Sequence, residues 1–215
     1  MRVGFYNLNT MNMLRFSTAT LTITLLVACG GGDFEVPNYQ VVRAEDNIEI
    51  RRYDPMIIAE VEVAGKREDT IGDGFRLLAG YIFGNNTVQQ DIAMTAPVQQ
   101  QMNQKIAMTA PVQQQSSGAS WKVSFVMPSQ YTLESLPKPN NDQIMLREIP
   151  SKQFAVIRFS GTSSVINFTE HEANLINFIE VNDISVTGSP KYAFYNPPWT
   201  LPWMRRNEVM IEIEQ

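Results

Sequence analysis

The 215-residue chain holds a single histidine, His171, and a single cysteine, Cys29. One thiol makes no internal disulfide, and one imidazole beside one thiol leaves a zinc-type site without enough ligands. Nucleophilic catalysis of the Ser-His-Asp kind would have to use His171, yet no G-x-S-x-G elbow exists. Ser160-Gly161-Thr162-Ser163-Ser164 only approaches one. His171-Glu172-Ala173-Asn174-Leu175 lacks the second histidine that a zinc-protease helix places four residues on. Gly72-Asp73-Gly74 is too short for a calcium loop, and no glycine-rich turn of the phosphate-cradling kind occurs. Basic charge is also scarce. No run of Lys or Arg exceeds two residues, and all 22 carboxylates lie after residue 28, against 15 of the 17 bases. That balance opposes binding to nucleic acid or to an anionic surface.

Long hydrophobic runs are missing as well. The apolar, Thr-rich stretch from Phe16 to Ala28 is thirteen residues long, whereas a spanning helix wants about 20. Preceded by the lone charge Arg15, it reads as a signal peptide over residues 1–28, with the true start open among Met1, Met11 and Met13. Leu26-Val27-Ala28-Cys29 resembles a bacterial lipobox, in which the cysteine is lipidated and becomes the first residue. Residues 29–37, with Gly30-Gly31-Gly32-Asp33, then form a lipidated, flexible tether. The expectation is a lipoprotein of the cell envelope that meets the membrane through its lipid anchor alone. Gly30 after the cysteine, where Asp would retain a protein at the inner membrane, points to the periplasmic face of the outer membrane in a Gram-negative host.

What remains, residues 38–215, is enough for one good core. Between Ile92 and Gln115 the phrase IAMTAPVQQQ occurs twice, fourteen residues apart. Two copies cannot stack into a solenoid. Pro97 and Pro111 supply no backbone donor, so each copy reads as a strand end or edge. Alternation marks Ile48–Tyr53 and Met56–Gly65 as a hairpin about Asp54-Pro55, Trp121–Met127 as a strand, and Gln143–Ile149 with Phe154–Ser160 as a second hairpin. The strands of Ser185–Asn196 and Glu208–Glu214 follow.

Ile71, Phe75, Leu78 and Ile82 outline a first helix opened by Thr70 and Asp73 and weakened by Gly72, Gly74 and Gly80. Phe168, Leu175, Phe178 and Ile179 outline a second, with Thr169 and Glu172 as its capping box and His171 at its exposed start. IEIRRYDPMIIAEVEVAG and IMLREIPSKQFAVIRFSG share one plan of strand, polar turn, strand, glycine and helix. Two similar halves with antiparallel strands and two helices predict an α+β domain.

The phrase IAMTAPV, with Tyr39 to Tyr53 before it and NPPWTLPWMRRNEVMIEI after it, resembles the SOUL family of heme-binding proteins over about residues 38 to 214. The doubled phrase resembles its bacterial branch. The resemblance implies a distorted antiparallel β-barrel of two pseudo-symmetric halves with two flanking α-helices, like the effector-binding domains of some bacterial regulators. It also implies reversible, non-catalytic binding of heme or another tetrapyrrole in a shallow apolar site. By position, Phe75, Arg76, Leu78, Ala79 and Ile82 would supply the helix side, with Trp199, Trp203 and Met204 from the loop. Arg76 would face the propionates, although family members often place Lys where this chain has Thr200 and Leu201. His171, Met94 and Met108 are the candidates for an iron ligand, and a site without a protein ligand is equally in keeping with the family. Arg205-Arg206-Asn207-Glu208 matches the family too and reads as ion pairs and turn bonds that fix the last strand. Two other classes stay open: a module for unrelated apolar effectors or a protein partner, and an enzyme acting on tetrapyrroles. The ligand's identity and the oligomeric state are left open by the sequence.

Overall fold

A computed structural model describes residues 34–88 and 103–215. The proposed signal peptide, Cys29, the glycine tether, Met94 and the first copy of the doubled phrase lie outside the described residues. In chain order the elements are β1 (Tyr39–Glu45), β2 (Ile48–Tyr53), β3 (Met56–Ala64), α1 (Arg67–Ile82), β4 (Asn86–Thr87), β5 (Val112–Ser117) and β6 (Ser120–Val126), followed by β7 (Lys138–Pro139), β8 (Met145–Ile149), β9 (Lys152–Phe159), α2 (Val165–Val181), β10 (Lys191–Phe194) and β11 (Asn207–Ile213). Nine strands form one antiparallel sheet in the order β1-β2-β9-β11-β10-β5-β6-β3-β8, and β4 pairs with β7 apart from it.

The order from β2 to β8 is a palindrome. Exchanging β2 with β8, β3 with β9, β5 with β10 and β6 with β11 reproduces it in reverse, with the axis between β5 and β10. The two halves anticipated from the repeated strand-turn-strand-helix plan are therefore present, but their expected hairpins are not. β2 pairs with β9 and β3 with β8, so each half lends a strand to the other. Asp54-Pro55 and Pro150-Ser151 thus each connect strands separated by five others in the sheet. A two-residue link reaches at most about 11 Å, while six strand spacings across a flat sheet are about 29 Å. The sheet must curl, and it forms a half-barrel.

Both helices pack on one face. Leu78, Tyr81 and Ile82 of α1 meet Ala59, Val61, Val123 and Phe125. Phe168, Leu175, Phe178 and Ile179 of α2 meet Ala155, Ile157, Val209 and Ile211. The buried stripe of α1 runs through Thr70, Gly74, Leu78, Tyr81 and Ile82, which turns Phe75 toward the surface. α1 begins at Arg67, with Lys66 at its N-cap, so Thr70 is interior and its hydroxyl bonds back to the Arg67 carbonyl at 3.1 Å. α2 also starts earlier than the capping-box reading placed it. Ser164 is its N-cap and accepts the Asn167 N–H at 3.3 Å, so Thr169 and His171 lie inside the helix. The serine hydroxyl provides the cap that Thr169 was expected to give.

The second copy of the doubled phrase forms no edge. Ile106 is in the core, Thr109 donates to the Val126 carbonyl, and Pro111 precedes β5, the strand at the palindrome axis. Its glutamines serve as structural donors. Gln114 is buried and donates from Nε2 to the Arg67 carbonyl (2.7 Å) and the Thr70 hydroxyl (2.9 Å), tying β5 to the first turn of α1. The last third of the chain spends fewer residues on strand than its alternation suggests, β10 being only four residues long.

Close approach of α1 to β6 sets a test on its three glycines. A Cβ at Gly74 would sit 2.5 Å from Val123 Cγ2, whereas at Gly72 and Gly80 nothing lies within 4 Å. Gly74→Ala should cost about 1–3 kcal/mol through overpacking. Gly72→Ala and Gly80→Ala should each gain about 0.5–1 kcal/mol from helix propensity. Urea unfolding of the three variants reads both signs.

Candidate functional site

The loop between β10 and β11 is the most exposed apolar feature among the described residues. Trp199 is 83% and Trp203 71% exposed, and Leu201 and Met204 are exposed beside them. Its backbone is nevertheless held. The Arg205 guanidinium donates to the Thr200 carbonyl (2.7 Å) and the Pro198 carbonyl (2.5 Å), and the Thr200 N–H bonds to Pro197 O at 3.0 Å. Pro202–Met204 form one turn of 3-10 helix, with Pro202 accepting the Gly161 N–H at 2.8 Å. The loop is braced, and its aromatic faces are open to water.

On α1, Leu78 and Ile82 are wholly in the core, Ala79 is half-buried, and Phe75 and Arg76 reach the surface. Phe75 packs its ring 5.4 Å from that of Phe125, and Arg76 pairs with Asp73 at 2.7 Å. That exposed pair is weak, so Arg76 can turn to another anion at little cost. Among the described residues, no hydrogen bond, ion pair or ring contact joins Phe75, Arg76, Leu78, Ala79 or Ile82 to Trp199 or Trp203.

His171 stacks on Phe159 with ring centroids 3.8 Å apart, and its Nδ1 is 2.7 Å from the Asn167 carbonyl. A carbonyl only accepts, so Nδ1 carries a proton, and in the neutral ring the lone pair is on Nε2. Phe159 pairs with Asn207 across the sheet, and Asn207 donates to the Gly161 carbonyl at 3.2 Å. His171 is therefore at the same end of the sheet as the root of the tryptophan loop. Met108 is half-buried against the α1 core. Among the described residues no cluster of three His, Cys, Asp or Glu could hold a metal ion, and no helix is long and apolar enough to cross a membrane.

The face opposite the helices carries charges that the sequence did not single out as a site. Glu208 is 0% exposed and holds three partners: Arg51 at 2.9 Å, Arg206 at 2.7 Å and the Tyr195 hydroxyl at 2.8 Å. Arg51 also bonds Glu49 (2.6 Å) and Tyr53 (3.1 Å), and its guanidinium lies over the Tyr39 ring. Burial raises the Tyr53 and Tyr195 phenols well above their usual range, and the nearby Glu208 carboxylate adds to this. For Arg51, burial opposes the charge but Glu208 outweighs it, so the guanidinium is held charged. The expected role of Arg205-Arg206-Asn207-Glu208, ion pairs and turn bonds that fix the last strand, agrees with these bonds and with those of Arg205 to the loop. The link to Arg51, 157 positions away, gave no local signal.

A cavity of about 370 Å³ opens near Pro55, Met127 and Tyr131. Glu35, Asp54, Glu134 and Glu148 line it without a basic residue, so it repels an anionic ligand.

The profile described as SOUL heme-binding protein matches residues 34–212. The chain belongs to the SOUL family. No curated protein matches it. Among solved structures, the C-terminal domain of EcmrR is similar at TM-score 0.56 and 10% identity, covering 82% of this chain and 98% of that one. EcmrR in a DNA complex gives 0.54 at 12% identity, covering 82% and 58%. A protein from Listeria innocua described as a hydrolase gives 0.51 at 10% identity, covering 80% and 94%. At these identities the likeness is one of fold alone, an α+β domain with an antiparallel sheet and two helices.

Two outcomes follow from the buried charges. Arg51→Met leaves Glu208 short of a partner and should cost about 3–5 kcal/mol in urea unfolding. Tyr53 and Tyr195 are held neutral in the folded state, so their contribution is complete below the ordinary phenol pKa of about 10 and is lost as pH rises beyond it. Stability measured against pH should fall on the alkaline side, and Tyr195→Phe should flatten that fall.

Proposed function

We propose that the chain binds heme or a related tetrapyrrole reversibly and without turnover, at the tryptophan loop. The observation that carries this reading is the pair of exposed, planar indoles, Trp199 and Trp203, on a loop whose backbone is already fixed, in a member of a family described as heme-binding. A flat macrocycle gains stacking and apolar burial on such faces, and the fixed loop loses little entropy on binding. Leu201 and Met204 widen the apolar surface. Phe75 and Arg76, with Ala79, are the part of α1 open to a ligand, while Leu78 and Ile82 act as packing beneath it.

The residues present suit a loosely held heme. Heme, when bound, would supply an iron able to accept a nitrogen or sulfur ligand. His171 is the one imidazole in the chain, and with Nδ1–H held by the Asn167 carbonyl and the ring stacked on Phe159, Nε2 is the nitrogen that would face an iron. Arg76 provides a cation for a propionate. The family trait of lysine in the loop is replaced here by Thr200 and Leu201, which weakens the expected charge pairing. We further infer an envelope lipoprotein, with Cys29 as the lipid attachment and the folded domain held at the membrane surface.

Hemin titration of the purified chain, followed by Soret absorbance, tests the site. Binding should saturate near one hemin per chain, and Trp199→Ala or Trp203→Ala should weaken it about tenfold, the worth of roughly 1.4 kcal/mol of lost stacking. His171→Ala should alter the band position if Nε2 ligates. Non-saturating binding, or identical behaviour in every variant, overturns the tetrapyrrole reading. Stabilisation by unrelated apolar compounds instead would put an effector module in its place, and steady loss of the porphyrin band with reductant would indicate an enzyme.

A further inference from the structure

The face opposite the helices holds a second group of charges, and it differs from the Arg51–Glu208 network in leaving a cation unmatched. Alternation puts Glu60 of β3, Lys122 of β6, Arg147 of β8, Lys152 of β9 and Lys191 of β10 on this side. The curl of the sheet draws them around one small cavity. Glu60 divides its two oxygens between Lys122 at 3.6 Å and Arg147 at 3.1 Å. Glu212 pairs with Lys152 at 2.6 Å. Four cations thus face three carboxylates, the third being the exposed Glu62 opposite Lys122 in register. Lys191 is the one without a match: among the described residues its ammonium makes no hydrogen bond and no ion pair, and lies 5.1 Å above the Phe154 ring centroid.

A half-buried ammonium with three unused donors is costly unless an acceptor arrives. Burial already lowers the Lys191 pKa, with Lys152 and Arg147 adding repulsion against the pull of Glu212 and Glu60. The cavity measures about 40 Å³, room for a few waters or one anionic head group and far too little for a tetrapyrrole. Its walls of Met56, Ile58, Phe154 and Met210 are apolar, which strengthens any charge pairing made there. Gln113 and Ser124 add neutral hydrogen-bonding groups beside the cations.

We propose that this cavity is a binding site for a small oxyanion, a phosphate or carboxylate group, seated between Lys191, Lys152 and Arg147. The anion supplies the charge that Glu60 and Glu212 do not, and its three cations come from β8, β9 and β10 of the second half. The site is independent of the tryptophan loop and does not rest on tetrapyrrole binding.

Thermal unfolding and calorimetric titration of the purified chain with inorganic phosphate, and separately with acetate, at constant ionic strength set by chloride, test the proposal. Either anion should raise Tm saturably and bind at one per chain; the stronger of the two identifies the head group. Lys191→Met should weaken binding about tenfold or more, as for loss of a charged hydrogen bond, and without anion it should melt no lower than the wild type because a mismatched charge is removed. Arg147→Gln should weaken binding likewise, while Arg52→Gln, which removes an exposed charge outside the cavity, should leave it unchanged. No saturable response to either anion overturns the site. So does a response that survives in Lys191→Met, or one that Arg52→Gln abolishes, since the effect would then be one of net charge.

Discussion

Two connections of two residues each, Asp54-Pro55 and Pro150-Ser151, govern the rest of this structure. Each joins strands that stand at distant places in the sheet, and a chain that short leaves the sheet no option but to curl. Curling gives one face to the helices and their two apolar clusters. It turns the other inward, so that side chains alternating away from the helices are crowded together. Charged residues that a flat sheet would leave in water, such as Arg51, Glu60, Glu208 and Lys191, become neighbours in a confined space.

The consequences of that crowding differ along the groove. Around Glu208 the accounting is complete: two guanidiniums and a phenol satisfy one carboxylate, and Arg51 has further partners of its own. A network in which every member is bonded rigidifies its surroundings, and here it ties β2 to β11 and to the flanking residues Tyr195 and Arg206. Around Lys191, where the charges come from β3, β6, β8, β9, β10 and β11, the accounting is incomplete. One region is built to hold the fold, the other has capacity left over for a ligand.

Much of this could be read from residues alone, and the limits are physical. Period-two alternation identified β2, β3, β6, β8 and β9, and the shared plan of residues 48–65 and 144–161 gave the two halves, because those signals are local. Which strand pairs with which is not local. The hairpin reading of Ile48–Gly65 followed from the short turn, and it failed because that turn serves to close the sheet. The helix starts were misplaced for a smaller reason: Ser164 had the cap chemistry, but Thr169 with Glu172 presented the more familiar pattern. For the site, the exposure of Trp199 and Trp203 followed from prolines and aromatics crowded into a loop. The cationic cavity was hidden because its charges come from six strands spread from Glu60 to Glu212, each looking like the solvated face of its own strand.

The Arg205 guanidinium, bonded to two carbonyls of the tryptophan loop, bears on speed as well as strength. A loop that must first find its shape binds slowly, because only a fraction of encounters meet the competent form. Here three prolines and one arginine have set that shape in advance. Encounter with a flat apolar ligand is then limited by diffusion and orientation, while release has nothing to wait for but the ligand leaving the indole faces. On the proposed reading, a ligand would exchange quickly at such a surface, which suits a protein that passes a molecule on better than one that stores it.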